Sequence, residues 1–271
     1  MDDRWDPPWV WRSLLVLARV AVPGFCRFRV TGDVPVGLRH GPLILATNHI
    51  ANVDPAIVTA ACRARRIAPR MMATGGLFRA PVVGAVMRAC GHIPVNRGHA
   101  DVADAVHHAA DAVRAGSVVL IYPEGRISLD PGMWPERAKT GLARFALATG
   151  ATVVPLAQWG AHEMMAYHGR GAMIGTLLRS AVRRPLVRVH FGAPVDLSDL
   201  RPGAVGHAQR ASERIMAALA AELAALRPAE PRLPRYVDPT RPLSVARVYR
   251  RRPVVPASAG IDVAGSIINQ A

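Results

Sequence analysis

His49 and Asp54 stand five positions apart in the stretch Leu45-Ala46-Thr47-Asn48-His49-Ile50-Ala51-Asn52-Val53-Asp54-Pro55. A loop across that spacing can fold back so that the carboxylate accepts from one imidazole nitrogen. That contact fixes the tautomer and leaves the other nitrogen free to take a proton. Such a pair is a general base for an alcohol nucleophile. The elements that must hold it lie on either side. The apolar run Pro42 to Ala46 reads as a buried strand, and Asp54-Pro55 ahead of Ala56-Ile57-Val58 reads as the cap and first residue of a helix. Taken alone, the same residues also fit a plain helix cap and a polar strand end.

The elements beyond this stretch alternate. Cys26 to Thr31 reads as a strand, Pro55 to Ala64 as a helix and Ile67 to Ala73 as a strand. Leu77 to Cys90 reads as one helix with Pro81 in its first turn, and Gly91 to Gly98 as a strand leading to a turn. Ala100 to Ala115 is a helix closed by Gly116, followed by the β-branched strand Ser117 to Tyr122. Lys139 to Thr149 is a helix ending at Gly150, Thr152 to Trp159 a strand, Val187 to Phe191 the last strand, and Val205 to Leu226 a helix. This order predicts an α/β fold with a mostly parallel mixed sheet covered by helices on both faces. Ligands in such sheets bind beyond the carboxyl ends of the strands. The loops carrying His49, Arg97 and Glu124 all leave that end, so one crevice is expected to hold the three.

Composition narrows the partners. The formal charge is +15 and Lys139 is the only lysine, so the excess is carried by arginine. An acidic partner is implied: anionic lipid head groups, phosphorylated substrates or nucleic acid. A nucleic-acid module would cluster arginines with aromatics, yet aromatic residues make up only 5% of the chain. Trp5, Trp9 and Trp11 gather instead in the first eleven residues, at the start of an apolar stretch, residues 9 to 22, that is too short to span a bilayer and carries Arg12 and Arg19 on one helical face. Residues 1–24 are therefore expected to lie on an anionic membrane surface, with no nucleic acid partner. The acidic start Met1-Asp2-Asp3 argues against a secretory signal, and Cys26, Cys62 and Cys90 have neither disulfide nor zinc spacing, so a reducing cytoplasm is the expected setting. Residues 227–271, with Pro228, Pro231, Pro234, Pro239 and Pro242, read as an extended or disordered tail.

Four blocks in order resemble the glycerolipid acyltransferase family that includes the bacterial 1-acylglycerol-3-phosphate acyltransferases. Asn48-His49 followed by Asp54 is similar to the first motif, although Ala51 stands where many members have serine. The segment Leu77 to Gly98 resembles the second, with Arg97 at the family's basic position. Tyr122-Pro123-Glu124-Gly125-Arg126-Ile127-Ser128 resembles the third, but arginine has moved to the threonine position and Ile127 stands where arginine usually does. Thr152 to Ala157 resembles the fourth. The likeness covers roughly residues 43 to 160 and, more loosely, continues to 226, which makes 25–226 the expected domain, glycerol-3-phosphate acyltransferase-like in fold.

That resemblance implies direct acyl transfer. His49, oriented by Asp54, takes the proton from the acceptor hydroxyl as it attacks the thioester of acyl-CoA or acyl carrier protein. Asn48, Arg97, Glu124, Gly125, Arg126, Ser128 and Lys139 are the expected substrate-binding residues. Of these, Arg97, with Lys139 or Arg126, holds the phosphate of a lysophospholipid acceptor, and Glu124 suits holding the loop or a glycerol hydroxyl. The implied activity is that of a 1-acylglycerol-3-phosphate O-acyltransferase at the cytoplasmic face of the membrane. Glycerol 3-phosphate, a lyso-aminolipid or a glycolipid are the alternative acceptors. No cofactor or metal is expected: there is no P-loop and no strand-linked Gly-x-Gly-x-x-Gly, and His162 and His168 are six apart where helical zinc ligands need four. The Gly-x-Ser-x-Gly elbow of serine hydrolases is also missing.

Overall fold

The structure is a computed structural model that describes residues 5–95 and 101–228 together with Asp238 and Arg241; for 101–106 it describes the backbone alone. The chain opens with helix α1 (Trp9–Phe25) and strand β1 (Arg27–Gly32), and then enters the sheet centre at β2 (Leu43–Thr47). Helix α2 (Asp54–Ala64), strand β3 (Arg70–Thr74), helices α3 (Gly75–Arg79) and α4 (Pro81–Ala89) and strand β4 (Ile93–Val95) follow. Next come α5 (Asp101–Arg114), β5 (Val118–Ile121), α6 (Gly141–Thr149) and β6 (Thr152–Trp159). The chain continues through α7 (Ala161–Met164), α8 (Arg170–Arg183), β7 (Leu186–Phe191) and α9 (His207–Leu226).

Among the described residues the strands form one seven-stranded sheet in the order β1-β7-β6-β2-β5-β3-β4. β2 pairs parallel with both β5 and β6, β3 with β5, and β4 with β3, whereas β7 runs antiparallel to β6. This is the mostly parallel mixed sheet expected from the alternation. Side chains of the central strands alternate between two cores, as a period of two requires. Leu43, Leu45, Val118 and Leu120 enter one, with Trp11 and Leu15 of α1 and Ile57, Val58 and Ala61 of α2. Ile44, Ala46, Val119 and Ile121 enter the other, with Ala109 and Val113 of α5 and Leu142, Phe145 and Ala146 of α6. With both faces covered, every residue of β2 and of β5 is buried. This explains why their sequences are continuous apolar runs.

One expectation is corrected here. Leu77 to Cys90 is not one helix: Ala80 is extended (φ −67°, ψ 130°) between α3 and α4, because a proline pushes the residue before it out of the helical region. α8 is an element beyond those expected from the sequence, and its apolar residues Ile174, Leu178 and Val182 face outward. Arg227, Asp238 and Arg241 are buried against the body of the protein, while 229–237, 239–240 and 242–271 lie outside the described residues. The cysteines are free and buried. Among the described residues no helix is long and apolar enough to cross a membrane.

Candidate active site

β2 delivers His49 to the carboxyl edge of the sheet, and β5 delivers Tyr122-Pro123-Glu124-Gly125 to the same edge beside it. The imidazole Nδ1 lies 2.8 Å from Oδ2 of Asp54. The carboxylate can only accept, so Nδ1 carries the proton and Nε2 presents a lone pair. No hydrogen bond to Nε2 forms among the described residues, and the side chain keeps 17% of its surface open to solvent. Tyr122 stacks on the ring with centroids 4.2 Å apart, which limits its rotation. Burial, with Asp54 and Cys62 nearby, holds the Tyr122 phenol well above its ordinary value, so it stays neutral.

Asp54 is wholly buried. Its Oδ2 also accepts the backbone N–H groups of Ile50 (2.5 Å) and Ala51 (2.9 Å). The carboxylate is thus turned back onto the loop and caps none of the helix N–H groups; Val53 occupies the cap position. Asp54 is the first residue of α2, with Pro55 behind it, so a rigid helix start aims the carboxylate.

Glu124 closes the site from beneath. One carboxyl oxygen accepts from the His49 N–H (3.1 Å) and the other from the Glu136 N–H (2.9 Å). Burial dominates its titration and pushes the carboxyl up to about 8, against the two N–H groups that favour its charge. Gly125 turns the loop in the left-handed region (φ 72°), its N–H on the Tyr122 carbonyl at 2.9 Å, a conformation glycine adopts without strain.

The other expected site residues divide. Ser128 is wholly buried; its N–H donates to the His49 carbonyl (2.8 Å) and its hydroxyl to the Trp134 carbonyl (2.8 Å). Asn48 is also wholly buried, and its amide exchanges bonds with Gln158 of β6, donating to the carbonyl at 3.0 Å and accepting the N–H at 2.9 Å. With no exposed surface, these two side chains tie loops and strands together. Arg126 pairs with Glu136 at 2.7 Å, so the displaced motif arginine has an internal partner. Lys139 is exposed just ahead of α6 and forms no ion pair among the described residues. Arg97 lies outside the described residues, two positions past the end of β4.

Several contributors escaped the sequence reading. Glu136 organises the second loop, its carboxylate taking both Arg126 and the Leu129 N–H (2.7 Å). Arg227 packs its guanidinium over the rings of Trp159 and Trp134, 3.7 and 4.4 Å from their centroids. The cavity of about 470 Å³ lined by Trp5, Arg39, Arg63, Arg66 and Val118 lies at the amino end of β5. It is therefore at the opposite edge of the sheet from His49.

A hydrogen-bonded imidazole of fixed tautomer, open at its second nitrogen at the carboxyl edge of a parallel sheet, can remove a proton from a hydroxyl. Comparison with known proteins agrees with acyl transfer. The family model described as Acyltransferase matches residues 27–159. The fold is similar to the crystal structure of the 1-acyl-sn-glycerophosphate (LPA) acyltransferase PlsC from Thermotoga maritima, with a TM-score of 0.59 and 17% identity over 80% of this chain and 79% of that one. No curated protein sequence matches the chain. Residues 27–159 thus carry an acyltransferase-family domain, on a fold similar to that of the PlsC structure.

Proposed function

We propose that the protein transfers a fatty acyl group from an acyl thioester, acyl-CoA or acyl carrier protein, to the free hydroxyl of 1-acylglycerol 3-phosphate, making phosphatidate. The observation that carries this reading is the His49–Asp54 contact of 2.8 Å beside an imidazole nitrogen left open. In the reaction, Nε2 of His49 takes the hydroxyl proton as the oxygen attacks the thioester carbonyl. The tetrahedral intermediate then expels the thiolate, which takes that proton from Nε2 and restores the neutral imidazole. Asp54 offsets the positive charge on the imidazolium. The acceptor phosphate is held by Arg97 and Lys139, since Arg126 is already engaged by Glu136.

The reaction takes place at an anionic membrane surface. Supporting this are the outward residues of α1, with Trp9, Leu17 and Val20 77%, 60% and 71% exposed, and their neighbours Arg12 and Arg19. Ile174, Leu178 and Val182 of α8, which packs against α1, add to the same apolar surface.

The test is thiol release from a panel of acyl-CoAs by detergent-purified protein with lysophosphatidate, glycerol 3-phosphate or a phosphate-free lysolipid. Release that requires lysophosphatidate is expected. Release that is equal with the phosphate-free lysolipid would overturn the acceptor assignment.

A further inference from the structure

Arg241 lies 191 residues beyond the loop it touches, and its side chain is fully enclosed. One terminal nitrogen of the guanidinium donates to the Ser128 carbonyl at 2.7 Å and the other to the Ile50 carbonyl. Nε donates to Asp238 at 3.0 Å, and the Asp238 N–H is anchored on the Pro131 carbonyl at 2.8 Å. The ring of Tyr167 backs the guanidinium, 4.6 Å from centroid to carbon.

The two carbonyls are not arbitrary. Ile50 C=O and Ala51 N–H belong to one planar peptide. The N–H end of that plane points at Oδ2 of Asp54 (2.9 Å), the same oxygen that holds His49 Nδ1. Gripping the carbonyl end therefore aims the N–H end at the dyad carboxylate. At Ser128 the gripped carbonyl shares its plane with the Leu129 N–H, which donates to Glu136 at 2.7 Å, while the Ser128 N–H in the preceding peptide holds the His49 carbonyl at 2.8 Å. A planar fork reaches two acceptors at once, which an ammonium on a flexible stem cannot do in fixed geometry.

We infer that Arg241 is a positioning residue of the acyl-transfer site, clamping the Ile50 and Ser128 carbonyls so that the Ile50–Ala51 peptide keeps its N–H on Asp54. The role in turnover rests on the dyad mechanism proposed above. Arg241 touches no substrate and takes no proton.

The experiment uses the full chain carrying Arg241→Ala or Arg241→Lys, with palmitoyl-CoA and lysophosphatidate as substrates. In both variants kcat is expected to fall by about tenfold to a hundredfold, as slight misplacement of a reacting group does. KM for both substrates stays within about twofold, because ground-state binding is untouched. Methylguanidinium restores part of the kcat of Arg241→Ala and none of that of Arg241→Lys. Amide hydrogen exchange quickens at Ile50 and Ala51 while β2 keeps its protection. Wild-type kcat in both variants, or a loss that tracks the loss of folded protein and ignores methylguanidinium, would overturn the clamp. If Arg241→Ala does not fold, Asp238→Asn replaces it, with a smaller kcat loss and the same local exchange expected; unchanged exchange at Ala51 refutes the clamp. A wild-type protein that transfers no acyl group overturns the proposed function, and the exchange at Ala51 then decides the clamp on its own.

Discussion

The His49 loop and the loop from Glu124 to Glu136 meet at one site but are held by contacts of opposite reach. In the first, a single carboxylate five residues away gathers the imidazole and two backbone N–H groups onto one oxygen. In the second, Glu124 reaches His49 across 75 residues, and Arg241 reaches Ser128 across 113. The reacting groups are assembled locally, whereas their alignment is imposed from distant parts of the chain. Damage to the first loop should therefore remove the chemistry and spare the fold. Damage to the second should cost stability and lower the rate only through geometry.

The contrast is broken or sharpened most strongly at His49. His49→Ala is expected to lower thiol release by about 10²- to 10⁴-fold, the usual weight of a general base, with an unchanged thermal midpoint. Arg126→Ala should show the reverse. It strands the Glu136 carboxylate, only 4% exposed, and because Arg126 itself is 34% exposed the cost is reduced to about 1–3 kcal/mol. Urea unfolding measures it. A rate loss in Arg126→Ala as deep as that of His49→Ala, at full stability, would erase the distinction between the loops.

Glu124 adds a pH signature to the second loop. Burial raises its carboxyl from 4.5 to about 8, so across that window the folded chain keeps a proton that the unfolded chain has lost. Stability from this group therefore falls as pH rises from about 4.5 to about 8 and levels off on either side. Thermal midpoints across that range should show the slope, and Glu124→Gln should flatten it. The same variant should cost about 1–3 kcal/mol at low pH, because its amide turns an N–H toward one of two N–H donors. The smallest effect is expected at exposed Lys139: Lys139→Ala should raise KM for a phosphorylated acceptor by about two- to fivefold, as fits one solvent-screened charge, and leave the thermal midpoint alone. Steady-state kinetics with lysophosphatidate check it.

The same division of reach governs what could be read in the sequence. Leu43 to Thr47, Val118 to Ile121 and Thr152 to Trp159 are buried on both faces, so their apolar runs mark them as central strands. His49 and Asp54 were readable as a pair because a five-residue loop leaves a local signature. Glu136 and Arg241 leave none: one sits in an irregular loop and the other among prolines that argue for a solvated tail. Asn48 and Ser128 stand inside motifs that name substrate binding, and the folded arrangement adds that both side chains bond backbone groups. In α8 the residues Ile174, Leu178 and Val182 keep a helical spacing of four, and what the spacing does not reveal is that this stripe faces outward.

The most direct test of the central claim, that His49 acts as a base because Asp54 fixes its tautomer, is a double-mutant cycle on thiol release with His49→Ala, Asp54→Asn and both together. The account predicts that Asp54→Asn costs activity in the wild-type background and nothing further once His49 is gone. Losses that multiply in the double variant would contradict it.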